Sequence, residues 1–239
     1  MSDDLDAARR SSQSWYWWGI PTFFRCPWNE DPAQADIGLV GVPHSSGNGS
    51  TERDQHLGPR AVRHVSGFYR RTHFVHGFAP WDVARINDLG DVPLPEAMNN
   101  EACVRDIEAF YRNLDEAGTR PVSIGGDHSI TGPILKALAG PRRRLSGGKP
   151  CALIHFDAHT DSYDNMPHWL GARRSAAHWA AYTAKEEAVD PSRSVQVGMR
   201  GHPSGAIHKG GVGGSSRELG YRVVTMQEFE ELGVARTVE

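Results

Sequence analysis

From Asp36 onward the chain alternates between short apolar runs of β-favouring residues and longer stretches whose apolar positions recur at helical spacing. Ile37 to Val42, Val122 to Ile124, Cys151 to Phe156, Ser194 to Gly198 and Tyr221 to Thr225 read as strands. The clearest helix is predicted from about Glu101 to Glu116, where Val104, Ile107, Phe110, Tyr111 and Leu114 share a face. Asn100 is placed to cap that helix and Gly118 to stop it. Further helices are predicted from Gly58 to about Phe68, with Pro59 in the first turn, from about Ile130 to Leu138, and from about Ala176 to Lys185. Strands separated by helices imply βαβ units, and hence an α/β fold with a mainly parallel sheet covered on both faces. The glycine- and serine-rich stretch Ser45 to Ser50, the basic link Gly140 to Lys149 and the glycine-rich stretch Gly201 to Ser216 read as loops.

Residues 1–35 depart from this pattern. Trp15, Tyr16, Trp17, Trp18, Phe23, Phe24 and Trp28 crowd one stretch that also holds Pro21 and Pro27, and so many aromatic rings will not stay solvated. Two readings stand: the segment wraps over the main core, or it is an arm that buries its rings on a neighbouring subunit. The division expected is an aromatic-rich arm over 1–35 and one α/β domain over 36–239.

Composition narrows the partners. A formal net charge of −3, with basic residues scattered apart from Arg142-Arg143-Arg144, implies neither nucleic acid nor an anionic membrane surface and favours a small-molecule substrate. The acidic start Met1-Ser2-Asp3-Asp4 leads into no apolar signal, and no run approaches the roughly 18 apolar residues of a membrane span. Cys26, Cys103 and Cys151 are odd in number and widely spaced, which suits a reducing, cytoplasmic setting.

The chemistry concentrates at two strand ends. In Ile154-His155-Phe156-Asp157-Ala158-His159-Thr160-Asp161, the side chains of Asp157, His159 and Asp161 fall at every second position and converge on one side of an extended backbone. Two carboxylates with an imidazole make a mixed oxygen/nitrogen site for a divalent ion. His155 shares that parity and reads as a packed or hydrogen-bonded histidine. About thirty residues upstream, Pro121-Val122-Ser123-Ile124-Gly125-Gly126-Asp127-His128-Ser129 is a second strand that breaks at glycines and presents a histidine. Sites in parallel sheets form beyond the carboxyl ends of the strands, so the two segments suit one site. Asp127 has two readings, orienting the His128 imidazole or capping the following helix.

Taken together, Gly125-Gly126-Asp127-His128-Ser129 and Phe156-Asp157-Ala158-His159-Thr160-Asp161, with Gly58-Pro59-Arg60-Ala61 upstream, resemble the ureohydrolase family of arginases and agmatinases. The resemblance runs from about Asp36 to Val234 and implies a three-layer α/β/α fold, a binuclear centre usually loaded with manganese, and hydrolysis of a guanidino compound to urea plus an amine. It implies that His128 ligates one metal and His159 the other, that Asp157 bridges them, and that Asp161 completes the first. The chemistry agrees, because a guanidinium is a poor electrophile and its hydrolysis needs a nucleophile that a metal can generate from water at neutral pH. Carboxylate-rich ligation suits manganese better than a thiolate-loving zinc site, with nickel as the alternative ion. A homo-oligomer is expected.

Two departures follow from the same comparison. The family's His-Gly-Thr element, whose histidine serves as a proton shuttle, is missing from Leu170-Gly171-Ala172-Arg173-Arg174-Ser175-Ala176-Ala177-His178-Trp179-Ala180. His178 is the nearest counterpart, either as the acid/base residue or as a helix-surface histidine. This remodelling suggests a small guanidino substrate other than agmatine, even free guanidine, with Trp169 or Trp179 as an aromatic wall for a flat cation. The second departure is the Ser-x-Asp-x-Asp-x-x-Asp-Pro motif, which has no counterpart, the last aspartate being Asp190. The expectation is a carboxy-terminally truncated chain lacking strands of its sheet and two ligands, with an exposed sheet edge, weak metal binding and impaired hydrolysis. Two alternatives share the motifs: a formiminoglutamase-like amidine hydrolase, and a non-catalytic pseudoenzyme that acts as an oligomer partner.

Overall fold

The computed structural model describes residues 19–48, 53–67, 72–164, 171–201 and 212–239. Its strands are β1 (Ile37–Val42), β2 (Ile86–Asp91), β3 (Arg120–Gly125), β4 (Ile154–Phe156), β5 (Val195–Met199) and β6 (Arg222–Thr225). Its helices are α1 (Gly58–Val65), α2 (Asn100–Ala117), α3 (Thr131–Leu138), α4 (Trp179–Lys185), α5 (Gly214–Leu219) and α6 (Met226–Val238). The strands form two three-stranded sheets, ordered β2-β1-β3 and β4-β5-β6, and each pairing is parallel. The α/β class is therefore as expected, but the strands divide between two sheets where one was predicted.

Both faces of the first sheet are covered, and side-chain parity shows how. Ile37 and Leu39 of β1 pack with Phe23, Cys26, Ile86 and Val62 of α1, whereas Val40 and Val42 turn to the other side and pack with Ile107, Tyr111 and Leu114 of α2. Phe23 is fully buried, so this part of the aromatic segment does wrap over the core; Trp15, Tyr16, Trp17 and Trp18 lie outside the described residues. Around the second sheet, Met199 and Val223 pack with Trp179 of α4, Tyr221 and Leu219. Helix α3 belongs to both cores, with Ile134 and Leu138 against the first and Leu135 against the second.

Strand β2 escapes the hydrophobic pattern, because Ile86-Asn87-Asp88-Leu89-Gly90-Asp91 mixes apolar with polar residues, of which Asn87 and Asp88 are nonetheless buried. Asp88 is fully buried and receives the Arg63 Nε and Nη2 groups at 2.8 and 2.9 Å, together with the Phe23 backbone N–H at 3.0 Å. A paired aspartate thus occupies a position that an apolar residue would ordinarily fill. Helix α2 starts one residue earlier than predicted. Asn99 is the cap, accepting the Ala102 N–H at 3.2 Å, and Gly118 closes the helix in the left-handed region at φ 82°. That leaves Asn100 inside the first turn, where its Oδ1 lies 3.0 Å from Nε2 of buried His44. The strand expected from Cys151 is shorter, since Cys151 makes only an isolated bridge to Val189. No disulfide joins Cys26, Cys103 or Cys151, and among the described residues no helix is long and apolar enough to cross a membrane.

Candidate metal centre

The carboxyl ends of β3 and β4 deliver the two motifs to one place. After β3 the backbone turns at Gly126, whose φ is 54° and where a Cβ would stand 2.4 Å from the Val42 carbonyl oxygen. Only glycine fits that turn. The Asp127 carboxylate then accepts the Ser129 N–H at 2.9 Å, the Ser129 hydroxyl at 2.5 Å and the Gly47 N–H at 2.9 Å. Capping is thus the reading of Asp127 that the contacts support, and His128 emerges at the head of the turn that leads into α3.

His128 Nδ1 lies 3.1 Å from Oδ2 of Asp157 and 2.8 Å from Oδ2 of Asp161. Ligand atoms of His128, His155, Asp157 and Asp161 all fall within 4.8 Å of one another. Burial works against the charged imidazole of His128, but the two carboxylates outweigh it and raise its pKa to about 9. Asp157 shows the converse: burial disfavours its charge, yet hydrogen bonds from His128 and the His159 N–H, with the His155 ring nearby, hold it well below the usual carboxylate range. Asp161 sits in the left-handed region at φ 49°, which aspartate tolerates better than most residues. Its backbone carbonyl accepts the Ala180 N–H at 3.0 Å, and its Oδ2 accepts the Trp179 indole N–H at 2.9 Å, so the start of α4 is fastened to it.

Of the predicted ligands, His128, Asp157 and Asp161 come together, whereas His159 stands to one side. Its ring is 69 % exposed and Nδ1 is 3.8 Å from Oδ1 of Asp157, the oxygen opposite the one that faces His128. The Asp157 carboxylate therefore looks two ways, toward His128 and Asp161 with one oxygen and toward His159 with the other. This donor set fits a divalent cation: one imidazole and two carboxylates on one side of Asp157, and one imidazole on the other. His178 does not join the cluster. It is buried at the N-terminal cap of α4, with Nδ1 2.8 Å from the Ser175 hydroxyl, and is not a helix-surface residue.

Three groups around this centre were not anticipated as its parts. Trp179 is fully buried and its ring lies 5.0 Å from that of His128 and 4.8 Å from that of His155, so it is no wall for a substrate cation. Trp169 lies outside the described residues. His155 is buried within the cluster, and its strand neighbour is fully buried Gln196, in register opposite it. A polar residue between the apolar pair Val195 and Val197 was the sequence signal for Gln196.

The arginase family pattern matches residues 35–239. The chain belongs to the arginase family. Among its relatives, a guanidinopropionase from Pseudomonas aeruginosa is 39 % identical over 226 residues, covering 92 % of this chain and 64 % of the relative. Proclavaminate amidinohydrolase from Streptomyces clavuligerus is 33 % identical over 224 residues, covering 92 % and 66 %. The solved structure of the Streptomyces clavuligerus enzyme matches with a TM-score of 0.80 at 32 % identity, over 94 % of this chain and 69 % of that one. This arginase-family chain thus spans about two thirds of the length of the relatives it matches.

Proposed function

We propose that the protein takes part in metal-dependent hydrolysis of a small guanidino compound to urea and an amine. The observation that carries this reading is the convergence of His128, Asp157 and Asp161 beyond the ends of two parallel strands in a chain of the arginase family. The relatives named guanidinopropionase, guanidinobutyrase and agmatinase support a guanidino substrate. In this proposal His128, Asp157 and Asp161 hold one ion, and Asp157 shares the second with His159. Manganese is the ion proposed, on the hardness of the oxygen donors, with nickel the alternative.

When bound, the ions lower the pKa of a coordinated water and so supply the nucleophile that a guanidinium carbon requires. The protein's own groups then govern placement and protons. Asp157, between the two histidines, fixes the spacing of the site, and the surrounding carboxylates favour a cationic substrate. A C–O bond forms at the guanidinium carbon, a C–N bond breaks, and the departing amine takes up a proton. His178 is proposed as the proton carrier. Its Nδ1 lies 2.8 Å from the Ser175 hydroxyl, which orients the ring. Among the described residues the second ion finds only His159 and one oxygen of Asp157, so the proposal includes weak loading of that position.

The test is urea release from the 239-residue chain, incubated with excess Mn(II) and offered 3-guanidinopropionate, 4-guanidinobutyrate, agmatine or guanidine. Urea from at least one substrate, abolished by chelator and by His128→Ala, is the expected result. Formamide release from N-formimino-glutamate offered alongside, with no urea from any guanidino substrate, or no product from any substrate at saturating metal, would sink the reading.

A further inference from the structure

Beneath the carboxylates lie two buried rings, each with one N–H to give. Trp179 is donor-only, and its Nε1–H reaches Oδ2 of Asp161 at 2.9 Å. His155 is fixed less directly. The Gln196 side-chain nitrogen lies 2.8 Å from the Thr160 carbonyl oxygen and 3.1 Å from His155 Nδ1. A carbonyl only accepts, so the amide must turn its NH2 end to this side, and its two hydrogens serve the two neighbours. His155 Nδ1 is then an acceptor, and the hydrogen of the neutral ring is on Nε2. That N–H is buried without a regular hydrogen bond, and Oδ2 of Asp157 stands 3.5 Å away. An unsatisfied buried donor is costly, and one aimed at a carboxylate is reserved for it.

We infer that His155 and Trp179 are positioning residues of the centre, holding Asp157 and Asp161 respectively through one ring N–H each, with Gln196 fixing the tautomer of His155. The inference rests on the metal-binding reading above and deepens it. His155, although it belongs to the four-residue cluster, is then not itself a ligand, because the nitrogen it turns toward the cluster carries a hydrogen. Sequence spacing alone would have assigned it the opposite role, since it shares the parity of Asp157 and Asp161. The two donors come from different elements, β4 and the first turn of α4, so the carboxylates are oriented from beneath on two independent supports. Such supporting donors characteristically alter metal affinity by about ten- to a hundredfold when removed.

The experiment has two arms on the full 239-residue chain. In metal-free protein at neutral pH, long-range 1H–15N NMR of the histidine rings should show His155 as the Nε2–H tautomer, and Gln196→Leu should mix the tautomers. An Nδ1–H form in the unaltered protein would overturn the assignment. In the second arm Mn(II) alone is titrated calorimetrically. His155→Gln, which keeps an N–H near the Nε2 position, should bind within about threefold of the parent, while His155→Leu and Trp179→Phe each weaken binding about tenfold or more. A ligand role for His155 would make the glutamine variant as weak as the leucine variant, and mere packing would leave Trp179→Phe at parental affinity; either result overturns the inference. If the parent chain binds no Mn(II), the functional reading fails instead, and the ring NMR alone decides the role of His155.

Discussion

Asp161 bears several demands at once. It adopts a left-handed backbone, its carbonyl receives α4, and its carboxylate meets both His128 and the Trp179 indole. Asparagine tolerates the same backbone and can still accept the indole N–H, but it lacks the charge. Asp161→Asn should therefore keep thermal stability close to the parent while Mn(II) affinity in a calorimetric titration falls at least about tenfold. Asp161→Ala should lose the same affinity and, in addition, about 1–3 kcal/mol of stability in urea unfolding, through the strained backbone and the freed indole N–H. At this scale part of the site was legible: the shared parity of Asp157 and Asp161 and the glycine break before His128 point to one cluster, from which His159, of the same parity, stands aside. The supports were not. Trp179 lies outside the strand motifs, and the role of His155 depends on which way Gln196 turns its amide, a fact of cross-strand register that no local pattern encodes.

Among the elements, β2 shows what periodicity misses. Its Asp88 can be buried because a partner is supplied from elsewhere: Arg63 of α1 reaches Asp88 and, at 2.6 Å, the more exposed Asp91, with its guanidinium 4.0 Å from the centre of the Phe23 ring. Replacing Arg63 by Met leaves Asp88 charged and buried without its counterion, and should cost about 3–5 kcal/mol in urea unfolding. The mouths of β1 and β2 are joined differently, by exposed Asp36 and Arg85 just before the paired residues Ile37 and Ile86. Arg85 holds the Asp36 pKa down to about 2, chiefly through the side-chain hydrogen bond. A depressed carboxylate stabilises the fold above its unfolded pKa of about 3.9 and stops doing so as pH falls through the folded value. The small advantage of the parent over Arg85→Met in thermal unfolding should accordingly be full above about pH 4 and fade toward about pH 2. Helices α2 and α3 were legible because their stripes are apolar, whereas α5 is short and polar and the apolar residues of α6 are scattered around it with none buried, so neither gave a signal.

On the scale of the whole molecule, the facing edge strands of the two sheets carry exposed apolar side chains. Val122 of β3 is 51 % exposed, and Ile154 and Phe156 of β4 are 68 % and 74 % exposed. Unpaired strand edges with apolar side chains are templates for association. Light scattering should show concentration-dependent self-association of the isolated chain, and the double variant Ile154→Lys, Phe156→Lys should reduce it. The α/β class and every strand but β2 followed from alternation, but the division into two sheets did not, because pairing partners are set by tertiary packing. What joins the halves is α3, eight residues long and lodged in both cores, with His128 three residues before its start. A segment shared in this way cannot be released by one half while the other stays closed. Its slowest amide protons should therefore exchange with deuterium only when the entire molecule opens, and cation capture at His128 should slow that opening on both sides of the helix at once.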